Sequence, residues 1–394
     1  MLHGPLTFVL LVAFAVFGSQ LQRTLALRGL RIPAFDGPIW ILLGVVLGGS
    51  VAGVFPEDVL AVLHAVVLMG LAWIGLVFGM QIDRTVIRRL QPWHRTIGFF
   101  LPIGVGAILA GVAFGLGLKP IMAFGLAAIG MVSSGESLDA ISRSRPPADR
   151  SAARLLRMLA AFSGIPAMAV FGMASVVWCP VSIMSGGRVP GWHLLLGLTG
   201  VGVITGYALM VLIRGLSDGL QLLTVIAGIT TLIAGSAAVL GISPLPAAAV
   251  AGAVVINRCV FPHRLLKAAH TIERPLLVAM LVLVGASLTG LAFSWRVFLI
   301  LTVVRFVSMV SAGAVLSHSA QRQDVGLTTS FLGIGLVGQG PLALGIAVAL
   351  AGILSRSPGM LEATAAAIVV NQVVAEAWLR RSLFPPTVSG GKTT

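Results

Sequence analysis

PIMAFGLAAIGMVSSGESLDAISRSR, residues 120–145, is the stretch whose reading decides the fold. It opens as an apolar helix, runs into Ser133-Ser134-Gly135-Glu136-Ser137, and then resumes helical character. Ser and Gly compete with the helical backbone, because a hydroxyl can bond nearby backbone groups and glycine loses the most freedom on ordering. A carboxylate at bilayer depth costs at least ~2.5 kcal/mol even on insertion scales. Irregular backbone at that depth survives only where protein buries it or water reaches it. The stretch therefore reads as a membrane helix interrupted at its middle.

A second stretch reads the same way. GIGLVGQGPLALGIAVAL, residues 333–350, is an apolar run broken by Gly338-Gln339-Gly340-Pro341. Two interrupted helices, one in each half of a polytopic chain, are the pattern of a secondary transporter built from inverted repeats. The expectation is two discontinuous helices that unwind near mid-membrane and cross.

The rest of the chain supplies the membrane. Of 394 residues, 57% are hydrophobic and only 10% are charged, against roughly 25% charged for a soluble domain. At ~20 apolar residues per span, thirteen segments can be placed. They cover roughly 5–22, 39–55, 59–81, 97–117, 120–142, 153–178, 191–213, 219–241, 243–257, 272–292, 295–316, 326–354 and 361–379. The fold class expected is an all-α polytopic membrane protein of about 13 transmembrane helices in one membrane domain.

The loop charges alternate. Twenty-one basic residues fall on one side of the thirteen spans, and four, Lys119, Arg188, Arg296 and Arg356, on the other. Positive charge stays cytoplasmic, so the N-terminus should lie outside and the C-terminus inside. That split also accounts for the net charge of +14 without nucleic acid. The first apolar segment runs into Arg23 without a small-residue cleavage site, so no cleavable signal peptide is expected. The Arg-rich, Lys-poor composition points to a bacterial inner (plasma) membrane.

Few polar residues lie away from the membrane surfaces. Glu136 has a structural reading, complementing the N-terminal dipole of the second half-helix with Ser134 or Ser137 as cap. Its functional reading is a protonatable or ion-coordinating group at a helix break. Arg305 sits in the middle of FLILTVVRFVSMVSAGAV. A buried guanidinium stays charged, so it needs an acid, helix C-terminal carbonyls or an anionic ligand. Gln339, in the second break, can coordinate or pack. Asn371 and Glu376 lie in the last span, and Glu376 is placed for an i,i+4 pair with Arg380. Asp83 reads as interfacial. Cys179 and Cys259 form no metal or redox motif, the histidines lack metal-site spacing, and no cofactor is expected. No nucleophile elbow, phosphate loop or dinucleotide fingerprint occurs in context, which argues against an enzyme.

Several segments resemble the monovalent cation:proton antiporter superfamily. LAWIGLVFGMQIDRTVIRR (71–89) is similar to its apolar run ending in a glycine, an Asp and basic residues. AAVLGISPLPAAAVAGAVVINR (237–258) resembles the Gly-x-Ser-Pro…Ala-Gly…Asn-Arg stretch, and ERPLLVAMLVLVGASLTG (273–290) the Pro…Val-Gly-x-x-Leu helix. Arg305 falls where these proteins carry a basic residue.

The resemblance implies a core of two crossing broken helices (approximately 97–178 and 295–384). It also implies dimerisation helices (5–81 and 219–292), a linker helix at 191–213, a homodimer, and an elevator-like exchange of a monovalent cation against protons. The family's ion-binding Asp should lie in RLLRMLAAFSGIPAMAVFGM, where this chain offers Ser163-Gly164 and no acid. Glu136 would then be the replacement carboxylate, ion-paired with Arg305, with Ser133, Ser134, Ser163 and Gln339 as neutral ligands. Two rival readings stand beside it: a transporter of a small anion drawn by Arg305, and a non-transporting sensor or complex subunit.

Overall fold

In the computed structural model, the described residues are 38–48, 52–89, 92–142, 147–177, 191–214, 216, 218–259, 262–288, 293–321, 332–354 and 359–384, with a few isolated positions between 11 and 24. Cys179, Arg188, Arg322, Arg356 and most of the first apolar segment lie outside them.

Among the described residues the elements are helices, with one isolated bridge between Gly48 and Phe55. We number them α1 Pro38–Leu47, α2 Glu57–Met80, α3 Arg84–Arg89, α4 Pro92–Gly115, α5 Pro120–Met131 and α6 Glu136–Ser142. There follow α7 Arg150–Val177, α8 Gly191–Leu212, α9 Gly219–Leu240, α10 Leu245–Ile256 and α11 Pro262–Ala286. After α12 Trp295–Leu299 and a π turn Ile300–Val304 come α13 Arg305–Gln321, α14 Leu332–Gly335, α15 Pro341–Ile353 and α16 Met360–Ser382. Among the described residues eight helical stretches are long and apolar enough to cross a membrane, and three shorter apolar helices accompany them.

Twelve of the thirteen expected segments coincide with described helices. Two differ at their edges. The segment at 39–55 stops being helical at Leu47, before Gly53 at φ 65°. The segment begun at 272 starts at Pro262, because an amphipathic, charge-bearing turn extends the span. The short α3 joins two spans; the Asp83 carboxylate accepts from the Thr85 N–H at 2.7 Å and starts it.

Helix contact without a hydrophobic driving force needs small residues. The crossing of α2 with α10 shows this. A Cβ at Gly79 would stand 2.0 Å from the Ala249 carbonyl oxygen, and one at Gly252 would stand 2.2 Å from that of Leu76. The same two helices are tied at one end by Asn257, which accepts from the Arg84 N–H (2.8 Å) and donates to Ile82 O (2.8 Å) and Ala253 O (2.7 Å). α10 lies against α2 and α8, and α11 against α1 and α2. The other helices gather around the two interruptions: α4 and α7 pack on α5, α15 crosses α5, and α16 touches α6, α14, α15 and the π turn.

Candidate functional site

Both interruptions are real. α5 ends at Met131, residues 132–135 are non-helical, and α6 begins at Glu136. α14 ends at Gly335 and α15 begins at Pro341, a residue suited to a first helical position because its missing N–H would be unpaired there anyway. The two breaks meet. The Ser134 N–H donates to Gly338 O at 2.9 Å, a backbone bond from one break to the other.

Breaking a helix strands carbonyls at its C-terminal end, and Arg305 gathers them. Its guanidinium is 0% exposed. Nε donates to Gly130 O (2.8 Å), Nη2 to Val132 O (2.9 Å) and Leu336 O (3.4 Å), and Nη1 to Val337 O. The C-terminus of α5 carries about half a negative charge, and the second break's carbonyls add to it. A unit positive charge is thus matched without a carboxylate. The expected ion pair between Arg305 and Glu136 is not what holds the guanidinium. The fork of N–H donors fits four carbonyls better than one acid, because their positions are set by the two breaks.

The neutral candidates are engaged in the same framework. The Ser133 N–H donates to Ser163 Oγ (2.8 Å), and that hydroxyl donates to Ala160 O (2.7 Å). Ser163 thus caps the first break and ties it to α7. Gln339 Nε2 donates to Ile129 O (2.8 Å), while its Oε1 accepts from Asn371 Nδ2 (3.1 Å). Asn371 Nδ2 also donates to Leu301 O (2.9 Å). That carbonyl is open because the π turn sends the Arg305 N–H to Ile300 O instead. On α16 the next residue, Gln372, donates to Ser137 Oγ at 2.5 Å. Asn371 and Gln372 were not among the site residues expected from sequence; the signal was two adjacent amides inside an apolar span.

Glu136 is placed differently from the rest. It is exposed, at the first residue of α6, and its own N–H bonds to Ser134 Oγ at 3.2 Å. Its Oε1 and the Ser134 hydroxyl both face the second break, 3.6 Å and 2.7 Å from where a Cβ on Gly340 would sit. Glu136 also lies within electrostatic reach of His270 on α11, which contacts Glu273 at 2.5 Å. Asp139, one turn further, pairs with Arg157 of α7 at 2.7 Å.

Gly164 is closed off. A Cβ there would stand 2.3 Å from Phe78 Cε2 and 2.9 Å from Leu342 Cδ2, so the position where the resemblance calls for an acid is packed by an aromatic ring from α2. Among the described residues no group of three His, Cys, Asp or Glu side chains could hold a metal ion.

No protein-family model matches the sequence, and no curated protein matches it. Among solved structures the chain is similar to the sodium proton antiporter MjNhaP1 from Methanocaldococcus jannaschii. The likeness to its structure at pH 8 has a TM-score of 0.63 at 14% identity, over 95% of this chain and 97% of that one. The likeness to its electron-microscopy structure has a TM-score of 0.64 at 16% identity, over 95% and 96%. The chain therefore has the fold of a sodium proton antiporter.

Proposed function

We propose that this antiporter-fold chain is a secondary active transporter, not an enzyme, exchanging a monovalent cation for protons, with Glu136 as the carboxylate of its ion site. The observation that carries this reading is the position of Glu136 at the mouth of the crossing, its Oε1 and Ser134 Oγ facing Gly340 of the other break. A carboxylate there can hold either a cation or a proton, and competition between the two is exchange. Ser133, Ser163, Gln339 and Arg305 act as the frame: they hold both breaks open as backbone that helices alone could not sustain. Gly164 keeps α7 close to α2 and takes no ligand.

The same reading assigns the helices within 97–178 and 295–384 to a moving core. Those within 5–81 and 219–292 form a dimerising scaffold, joined by the helix at 191–213. The chain is multi-pass in a bacterial plasma membrane, N-terminus outside, and the two broken helices belong to inverted repeats. An anionic substrate finds no support in Arg305, which is fully buried and already donates to four carbonyls. A non-transporting role is favoured by one observation, the sealing of Gly164 by Phe78. Flux of Na⁺, K⁺, H⁺ and small anions in proteoliposomes separates these readings. Cation-dependent proton movement lost in Glu136→Gln is expected. Absence of all flux in a folded dimer sustains the non-transporting role, and anion flux that survives Glu136→Gln overturns the exchange reading.

A further inference from the structure

We propose that Gln372 of α16 is a positioning residue for Glu136: by holding Ser137 beside the second break it sets the direction of the carboxylate. α6 has only seven residues, Glu136–Ser142, and a helix shorter than about 12 residues does not hold its own shape. Its direction therefore comes from what it is tied to, and three ties are present. Before the acid, the Ser134 N–H donates to Gly338 O at 2.9 Å. After it, Ser137 Oγ and the Gln372 amide lie 2.5 Å apart, with Ser137 3% and Gln372 5% exposed. One turn on, Asp139 meets Arg157, but the side chains are 46% and 52% exposed, and a pair so open to water contributes little.

The first two ties close a ring around Glu136. Gly338 takes the Ser134 N–H, and its missing side chain leaves room for α16: a Cβ there would stand 3.0 Å from the end of the Gln372 amide and 3.3 Å from Ala375 Cβ. The Gln372 amide thus reaches from Gly338 to Ser137, and Glu136 lies between the two serines that the ring holds. The tie survives either orientation of the amide, because a serine hydroxyl can accept from its N–H or donate to its oxygen. Methionine fills nearly the same space and offers only a weak acceptor. Loosening one side of the ring lets α6 turn, and the carboxylate then spends less time facing Gly340. A site competent for only part of the time binds its ligand more weakly by that fraction, so the effect falls on apparent affinity. Gln372 has this role within the exchange reading above, where Glu136 is the carboxylate of the ion site.

The test is proton movement driven by Na⁺ or K⁺ in proteoliposomes, read as apparent KM and kcat, together with hydrogen exchange of the full chain in lipid nanodiscs. Gln372→Met should raise the apparent KM for the cation about tenfold and leave kcat within about twofold, as a lowered competent fraction requires. Ser137→Ala should do the same, and the double variant should be no worse than either single, because both remove one contact. Thr364→Val removes a buried hydroxyl of the same helix that bonds only to Met360 O, and should leave KM alone. Backbone exchange should quicken at 136–142 in Gln372→Met and Ser137→Ala, and not in Thr364→Val. If Gln372→Met does not fold, Ser137→Ala carries the test. A KM unchanged in these variants while Glu136→Gln abolishes exchange overturns this proposal alone, and so does a fall in kcat without a rise in KM. A parent chain that moves no cation rejects the exchange reading instead; the tie is then read from hydrogen exchange, and unchanged rates at 136–142 in both variants overturn it.

Discussion

The two helix breaks solve one problem in opposite styles. Upstream, both surrender carbonyls to Arg305, Gly130 and Val132 from the first and Leu336 and Val337 from the second. Downstream they part company. The first resumes through half-buried Ser134 and Gly135 into an exposed acid, with a hydroxyl capping the new helix. The second stays buried through Gln339 and resumes at Pro341 with no side-chain cap and no charge. The crossing is therefore one shared anchor with two unlike exits, and only the first exit carries a group that can change its charge.

The largest effect should come from the shared anchor. Arg305→Leu strands four carbonyls from two elements in a buried place, each worth about 1–3 kcal/mol, and should leave little folded protein in a detergent melt. Arg305→Lys should recover part of the loss, because an ammonium is a single point with three donors and cannot span the fork. A Lys variant as stable as the parent chain would show that charge, not geometry, is decisive, and would break the comparison at its common point.

Next is Gly164→Asp, which would install the missing acid. Its Cβ meets the Phe78 ring, so overpacking of about 1–3 kcal/mol is expected. Combining it with Phe78→Ala should cost less than the sum of the two single changes, read as a double-mutant cycle in thermal melts. Strict additivity would mean that the ring does not exclude the side chain.

Asn371→Ala sharpens the contrast from the second break. It removes the donor to Leu301 O and Gln339 Oε1, for a loss of about 1–3 kcal/mol. Hydrogen exchange should quicken at the second break and stay unchanged at residues 132–135. The smallest effect on stability belongs to Glu136→Gln: with Arg305 held by carbonyls, the expected loss is of the size of a helix-dipole contribution, about 0.3–1 kcal/mol, while exchange should disappear. A loss of several kcal/mol would restore the ion pair that the hydrogen bonds of Arg305 argue against.

Both breaks are legible in the sequence alone, because Ser133-Ser134-Gly135 and Gly338-Gln339-Gly340-Pro341 violate a membrane helix locally. Helix restarts at Glu136 and Pro341 fall where those clusters put them. Partnership was not legible in the same way. Whether Arg305 meets an acid or carbonyls depends on residues some 170 positions away, and no periodicity reports that. The filling of Gly164 by Phe78 is hidden for the same reason: a glycine in a span signals close approach, without saying what approaches. Asn371 reads from sequence only as a polar residue of the last helix, and Gln372 does not stand out at all, since their partners lie on the π turn and on α6.

The π turn at Ile300–Val304 changes the phase of its helix. Each α-helical residue advances about 100° around the axis, so one extra residue in a turn rotates everything after it by about that angle. α12 and α13 thus do not share one continuous face, and a hydrophobic stripe traced straight through 295–321 would be misdrawn at Val304. Removing one residue from 300–304 would tidy the helix and swing the Arg305 guanidinium about a quarter-turn from its carbonyls. The irregular helix is the one that keeps the charge on target.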